Sequence, residues 1–307
     1  MSALGHIRVL SDGRAGHENQ SMGLALALAR RTGASIELVA LDPKTSFFVR
    51  MRVAAKNTGH SVNLVISAGH RTHLPLWWAG RRLKARTVVI MTPSLPLACF
   101  DLALVPKHDA PEAADTAKRI LTKGALNRVP EELPEKTATG LVLIGGPSNH
   151  HRWDGERLKG KIARVIAAQP ELSWTIANSR RTPSGYLEQL QLNAVKVPEH
   201  TTPRNWLADE LARASAVWVT SDSVSMVHEA ATAGAATGVL PMPCADDGGG
   251  RPQKAVDLLI QEGLVADFNA WESDGAKPLV RPTGATLHEA ARCADLILAR
   301  WFASGTK

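Results

Sequence analysis

An α/β fold of two doubly wound halves is predicted by three observations on the 307-residue chain. Short, wholly apolar runs alternate with stretches of helical period, the pattern of parallel strands covered on both faces. The alternation stops at 128–140, RVPEELPEKTATG, where two prolines and five charged residues carry no periodicity. It then restarts at LVLIGGPSN and continues almost to the end of the chain.

In the first half, strands are expected over 7–10, 36–41, 64–67, 87–91 and 102–105, with helices over 17–31, 45–57 and 72–84. In the second half, strands are expected over 141–144, 174–177, 194–197, 217–220 and 237–240. Helices there fall at 154–168, 183–192, 205–213, 224–233 and 252–262. A last helix, 286–302, carries Leu287, Ala290, Ala291, Leu296, Ile297 and Leu298. The domain reading is therefore 1–128, a linker at 129–140, a second domain at 141–285, and a C-terminal segment 286–307 packing back on the first domain. Doubly wound sheets bind ligands outside the carboxyl ends of their strands, so in a facing pair the ligand belongs in the cleft. Residues that carry chemistry should follow strands directly.

Composition bounds the partners. Hydrophobic residues make up 44%, the net charge is +7 and the pI about 9.5, so nucleotides, phosphates, nucleic acid or an acidic membrane surface are favoured. One Tyr and five Phe beside eight Trp give thin stacking platforms, which argues against nucleic acid. Cys99, Cys244 and Cys293 are odd in number and far apart, without disulfide or zinc spacing. That suits a reducing compartment and gives a cytoplasmic expectation, with the inner membrane face as a further address. The chain opens on a strand within ten residues, so no signal peptide is expected, and no apolar run is long enough to span a membrane.

Four strand-to-helix turns stand out. The first, SDGRAGHENQ at 11–20, needs only a glycine and a cap to reverse the chain, yet it holds far more. Gly13 and Gly16 allow a close approach of backbone to ligand, His17 is a candidate general base and Asp12 a candidate to orient it. The bland alternative is a capped turn with solvated polar residues. In the second, GGPSNHH at 145–151, the pair Gly145–Gly146 suits a phosphate cradled by backbone N–H groups, though Gly-Gly turns are common. In the third, ANSRRTP at 177–183, Ser179 and Thr182 offer hydroxyls, and Thr182 can cap a helix opening on Pro183. Arg180 and Arg181 there offer forks for phosphate, or are two exposed arginines. In the fourth, VTSDSVSMVHEAATAG at 219–234, Ser221, Ser223 and Ser225 can bind phosphate oxygens beside the free N–H groups of a helix start. Glu229, one turn inside, can bridge ribose hydroxyls or lie on a solvated face. Asp222 would repel phosphate, so it is expected to hold the loop through local backbone hydrogen bonds.

Other signals are weaker. The stretch 70–86 is basic around Trp77 and Trp78; it reads either as a peripheral contact with anionic headgroups or, more simply, as a buried helix with a solvated basic end. Asp246–Asp247 could bind a divalent cation or form a surface turn, and His60, His200 and His288 show no partner in sequence. A dehydrogenase would need G-x-G-x-x-G at the first helix, where the chain has only Gly13-x-x-Gly16.

The order of these turns resembles a GT-B glycosyltransferase, with two Rossmann-like domains facing a cleft. SDGRAGHENQSMGLALAL is similar to the glycine-histidine turn that opens the peptidoglycan N-acetylglucosaminyltransferase family. SDSVSMVHEAATAG resembles that family's donor-binding loop and helix, whose glutamate holds the ribose of a UDP-sugar. More closely, SDGRAGHENQ, SRRTP and TSDSVSMV together look like the mitochondrial fission "elongated mitochondria" family. Its bacterial members are treated as glycosyltransferases and its plant members act in mitochondrial division. The resemblance implies a nucleoside-diphosphate sugar as substrate, no cofactor, no metal, and a lipid or glycan acceptor. It places the acceptor side at Gly13, Gly16, Glu18 and Asn19, with His17 catalytic and Asp12 in support. The donor nucleotide is expected at Gly145, Gly146, Asn149, Ser179, Arg180, Arg181, Thr182, Ser221, Ser223, Val224 and Ser225 from the turns themselves, and at Glu229 and Gln253 from the resemblance. The family pattern has more than one glutamine near Gln253, which leaves the donor sugar open. Two other readings stand beside it: a nucleotide-sugar epimerase on the same fold, and a non-enzymatic adaptor.

Overall fold

The computed structural model describes residues 3–203, 206–245, 250–281 and 287–302. It divides into two compact units, Met1–Arg128 with His288–Lys307, and Val129–Leu287. The expected cation site at Asp246–Asp247 lies outside the described residues.

The first unit is a six-stranded parallel sheet in the order β2-β1-β3-β4-β5-β6. Its strands are β1 (His6–Ser11), β2 (Ser35–Ala40), β3 (Leu64–Ala68), β4 (Arg86–Ile90), β5 (Leu102–Pro106) and β6 (Arg119–Thr122). Its helices are α1 (Ala15–Thr32), α2 (Phe47–Ala54), α3 (His73–Leu83) and the C-terminal α10 (Glu289–Trp301). Alternate strand residues build two cores, because successive side chains of a strand point to opposite faces. Ile7, Val9, Ile66, Val88 and Leu104 pack with Leu24 and Leu28 of α1 and with Cys293, Ala294 and Ile297 of α10. Leu10, Val65, Val89 and Ala103 pack on the opposite face with Leu76 and Ala79 of α3. Arg8 is the one charged residue buried completely among the strands of this second core. Its guanidinium donates to Glu37, to the carbonyls of Ala54 and Lys56, and to Thr58, so a buried cation closes the C-terminal end of α2. Burial would raise the Glu37 pKa, but Arg8 and His6 hold it below the ordinary value.

The second unit is also a six-stranded parallel sheet, in the order β12-β11-β10-β7-β8-β9. Its strands are β7 (Thr137–Ile144), β8 (Ser173–Asn178), β9 (Val195–Val197), β10 (Ala214–Thr220), β11 (Ala236–Leu240) and β12 (Ala266–Asp267). Its helices are α4 (Gly155–Ala168), α5 (Tyr186–Gln189), α6 (Trp206–Arg213), α7 (Val224–Thr232), α8 (Gly250–Gln261) and α9 (Phe268–Ser273). Leu141, Leu143, Val217 and Val219 face Val227 of α7 and Val256 of α8. Val142, Ile144, Ala216 and Trp218 face Leu158 and Ile162 of α4.

The chain differs from the sequence reading at several elements. β6, β12 and α9 were not expected; β6 holds only four residues with alternating burial, too short for a periodic signal. β7 begins at Thr137, inside the expected linker, because its polar first residues are held by ladder bonds to Ala214 and Ser173 and not by burial. The helix expected over 183–192 is the single turn α5, preceded by Gly185 at φ 77°. Strand order reverses between β1 and β3 in one unit and between β7 and β10 in the other, and ligands of open α/β sheets bind at such switch points.

The ammonium of Lys136 donates to the carbonyls of Leu211, Ala212 and Ala233 at 3.1, 2.8 and 2.6 Å, closing the ends of α6 and α7. Lys136→Met leaves these carbonyls without the charged donor and should cost about 2 kcal/mol. A lower urea midpoint at unchanged m-value is the expected readout, and an unchanged midpoint would mean that water replaces the ammonium.

Candidate functional site

In the first unit, the chain leaving β1 at the switch point forms a compact polar turn. The Gly13 N–H donates to Ser11 Oγ at 3.1 Å, and the Arg14 N–H to Asp12 Oδ1 at 3.1 Å. Gly13 sits at φ 79°, a left-handed conformation that glycine adopts without strain. Asp12 is almost buried, and its Oδ2 lies 3.0 Å from Nδ1 of His17, whose side chain keeps 16% exposure. With Nδ1–H donating to the carboxylate, Nε2 carries the lone pair. Glu18 has both oxygens engaged: Ser11 Oγ donates to one at 2.9 Å and Arg128 to the other at 3.0 Å. Expected on the acceptor side, it also ties the turn to the end of the first unit. Gly16 and Asn19 lie in the first turns of α1, both partly buried.

The sequence reading missed the turn after β3, although a glycine directly behind an apolar strand and followed by histidine was its signal. Gly69 sits at φ 88°, and a Cβ placed there would come within 2.3 Å of His17 Nδ1, so only glycine lets the imidazole come this close to the backbone. His73, one turn further on, is 2% exposed. The Ser94 N–H donates to its Nδ1 at 3.1 Å, which puts the ring proton on Nε2, a buried atom without a hydrogen-bond partner. Burial, then the charges of His70 and His17, push the His73 pKa down to about 4. The turns after β1 and β3 thus bring three histidines together, and His73 is neutral at pH 7.

In the second unit, three strand ends lock into one another. The Gly145 N–H donates to Thr220 Oγ1 at 2.7 Å and the Gly146 N–H to Asp222 Oδ2 at 2.9 Å. Arg181 lies 2.7 Å from the same Asp222 oxygen and donates to the Gly146 carbonyl at 2.7 Å. Thr182 accepts the Ser179 N–H at 3.0 Å and donates to the carbonyls of Ile144 and Gly145. A Cβ on Gly145 would lie 2.1 Å from the Asp222 carboxylate, and one on Gly146 2.1 Å from the Arg181 carbonyl.

The structure shows how five of these expected groups are engaged. The N–H groups of Gly145 and Gly146 donate to the side chains of Thr220 and Asp222, and both glycines are required by the close packing of loops. Asp222 acts through long-range bonds, not local ones. Thr182 does not cap a helix, because its hydroxyl is committed to the end of β7. Ser179 is folded into the same turn as acceptor of the Arg181 N–H. Ser221 is 1% exposed, and its Oγ accepts the Met242 N–H at 3.0 Å, so it joins the ends of β10 and β11.

The remaining expected donor residues are Arg180, Asn149, Ser223, Val224, Ser225, Glu229 and Gln253. Arg180 is 77% exposed and 3.7 Å from Glu199. Asn149 is exposed. Ser223 and Val224 form the start of α7, which no side chain caps, with Ser225 exposed beside them and Glu229 partly buried one turn on. Gln253 of α8 donates to Asp257 at 2.7 Å and stands 3.4 Å from His151. Among the described residues, no group of three His, Cys, Asp or Glu is placed to hold a metal ion.

The buried His73 makes stability depend on pH. Below 6.5 the unfolded ring binds a proton that the folded ring refuses until about pH 4, so native stability falls as pH drops through that window. Between pH 7.5 and pH 4.5 this group should remove about 2.5 kcal/mol, and His73→Asn, which keeps an acceptor for the Ser94 N–H, should lose that part of the pH dependence. Urea unfolding of both proteins at the two pH values checks it; equal pH dependence would mean that His73 titrates normally.

The model of the family described as mitochondrial fission ELM1 matches residues 15–301. The chain is 23% identical to an uncharacterized protein of Rickettsia prowazekii (strain Madrid E), over 75% of this chain and 81% of that one. Among solved structures it is similar to a glycotransferase of kitacinnamycin, with a TM-score of 0.51 and 15% identity over 98% of this chain and 100% of that one. The glycosyltransferase SnogD of Streptomyces nogalater matches with a TM-score of 0.51 and 14% identity, over 97% and 96% of the two chains. A UDP-GlcNAc 2-epimerase of Neisseria meningitidis, bound to UDP-GlcNAc, matches with a TM-score of 0.54 and 10% identity, over 96% and 99%. At these identities the likeness is one of fold, and that fold is GT-B, with two Rossmann-like units in tandem. By the span of the family match, the chain belongs to the mitochondrial fission ELM1 family.

Proposed function

We propose that the chain is a glycosyltransferase: it moves a sugar from a nucleoside-diphosphate sugar to a hydroxyl of a lipid or glycan acceptor. The observation that carries this reading is the His17–Asp12 pair at the carboxyl end of β1, 3.0 Å apart, with the imidazole still partly open to solvent. A base oriented by a buried carboxylate at a switch point is what deprotonation of an acceptor hydroxyl requires. The fold shared with glycosyltransferases and with a UDP-GlcNAc-bound epimerase supports a nucleotide-sugar donor.

In this mechanism His17 Nε2 takes the proton of the acceptor hydroxyl while its oxygen attacks the anomeric carbon. Asp12 holds the tautomer and stabilises the imidazolium that forms. The bond from the sugar to the diphosphate breaks, and the departing charge is met by the uncapped N–H groups of α7, by Ser223 and Ser225, and by Arg180, in the part a metal plays elsewhere. Glu229, with its carboxylate acceptors, takes the ribose hydroxyls. Gly145, Gly146, Arg181, Thr182 and Ser221 shape the floor beneath the donor without touching phosphate.

Two measurements test the halves of this reading separately. Titration calorimetry with UDP should give micromolar to millimolar binding, weakened about tenfold or more by Glu229→Ala; binding by no nucleoside diphosphate would leave only a non-enzymatic adaptor. His17→Ala should fold and bind donor nearly as the parent does, while transfer drops by about two orders of magnitude or more. Transfer at the parent rate would remove His17 from the chemistry, and an epimerised donor formed without acceptor would replace the transferase reading by the epimerase one.

A further inference from the structure

We propose that α2 and α3 form a docking face for the surface of an anionic phospholipid bilayer. The inference does not rest on the transferase reading, since it concerns a different face of the first unit and is measured without nucleotide.

The first observation is α2 itself. Its sequence, FFVRMRVA, is apolar all round apart from two arginines, and a helix of that kind is ordinarily buried. Here Ala54 is its only buried residue. Phe48 is 81% exposed, with Phe47 and Val49 also open to solvent. On the neighbouring α3, His73, Pro75, Leu76, Ala79 and Gly80 are buried against the sheet, while Leu74 and Trp78, four residues apart, are exposed. The stretch 70–86 is therefore half a core helix and half an uncovered one. Between the two helices lies a groove of about 540 Å³ whose apolar lining is Phe47, Phe48, Met51, Ala55 and Trp78.

The second observation is charge. The groove is also lined by Arg52, Lys56 and Arg82. Between Asp42 and Asp101 the chain carries no carboxylate side chain, while nine Lys and Arg fall in that interval. A second copy of the chain would bring the same cations face to face, which disfavours self-association through this face. A bilayer surface with anionic headgroups satisfies both features together. The phenyl rings and the Trp78 indole enter the boundary between headgroups and acyl chains, and the arginine and lysine stems run along them with their charges at headgroup level. None of the described helices is long and apolar enough to cross a membrane, so the contact is peripheral.

The test is flotation of the full chain with phosphatidylglycerol-containing vesicles and with pure phosphatidylcholine vesicles. Binding is expected on the first, reduced by salt, and weak on the second. Two variants probe the two features: the pair Phe47→Ser with Phe48→Ser, and the triple Arg52→Ala, Lys56→Ala, Arg82→Ala. Each should lose about tenfold or more in vesicle binding with an unchanged urea midpoint. If the phenylalanine pair fails to fold, the triple variant decides. No flotation on anionic vesicles overturns the proposal, as does undiminished flotation of the triple variant. A concentration-dependent dimer abolished by the phenylalanine pair would make the face an interface between copies and overturn it as well.

Discussion

A backbone N–H removed from water must find an acceptor, and at the places where strand order reverses that requirement organises everything nearby. Neighbouring strands diverge there, so the first N–H groups beyond the sheet have no ladder partner. In the second unit Thr220 and Asp222 supply the acceptors for Gly145 and Gly146, reaching across from β10 to the end of β7. The carboxylate this introduces is then balanced by Arg181, which in turn fixes the loop after β8. One unmet N–H pair thus accounts for two glycines, an aspartate and an arginine. Removing one partner of such a buried pair strands the other charge, so these residues form a unit.

The first unit solves the same problem in a way that leaves chemistry over. Asp12 accepts the Arg14 N–H through one oxygen and keeps the other for His17. The imidazole can come that close only because Gly69 has no side chain. A ring wedged between a carboxylate and a bare stretch of backbone has a defined tautomer and little freedom, which is the condition for a positioned base. His73, buried one turn after Gly69, stays neutral at pH 7 because burial pushes its pKa down to about 4.

The two regions of the first unit proposed for function therefore differ in physical character. The turn after β1 is polar, tightly bonded and partly buried. The α2–α3 face is apolar, basic and open, and of these two helices only Ala54 of α2 and the inner side of α3 are buried against the sheet. A lipid surface on that face would bring a membrane-borne acceptor to the unit that carries His17, so the two proposals support each other without depending on one another.

The sequence by itself determined the two parallel sheets, because strands buried on both faces read as unbroken apolar runs whatever their neighbours are. It also determined the Asp12–His17 pair, whose members are five residues apart in one turn and meet through local geometry. Only the tertiary structure decided which of the polar residues behind the strands are bonded to one another. Gly145 and Thr220 are 75 residues apart, and Gly146 and Arg181 are 35. A hydrogen bond across such distances leaves no trace in spacing or composition, so Gly146 beside an open phosphate and Gly146 beside Asp222 look identical in one dimension. The same holds for β6 and for the first residues of β7, which are strands because a neighbouring strand offers them a ladder. Side-chain pattern reports burial; it does not report who accepts whose hydrogen bond, and at a switch point that is what separates a binding residue from a structural one.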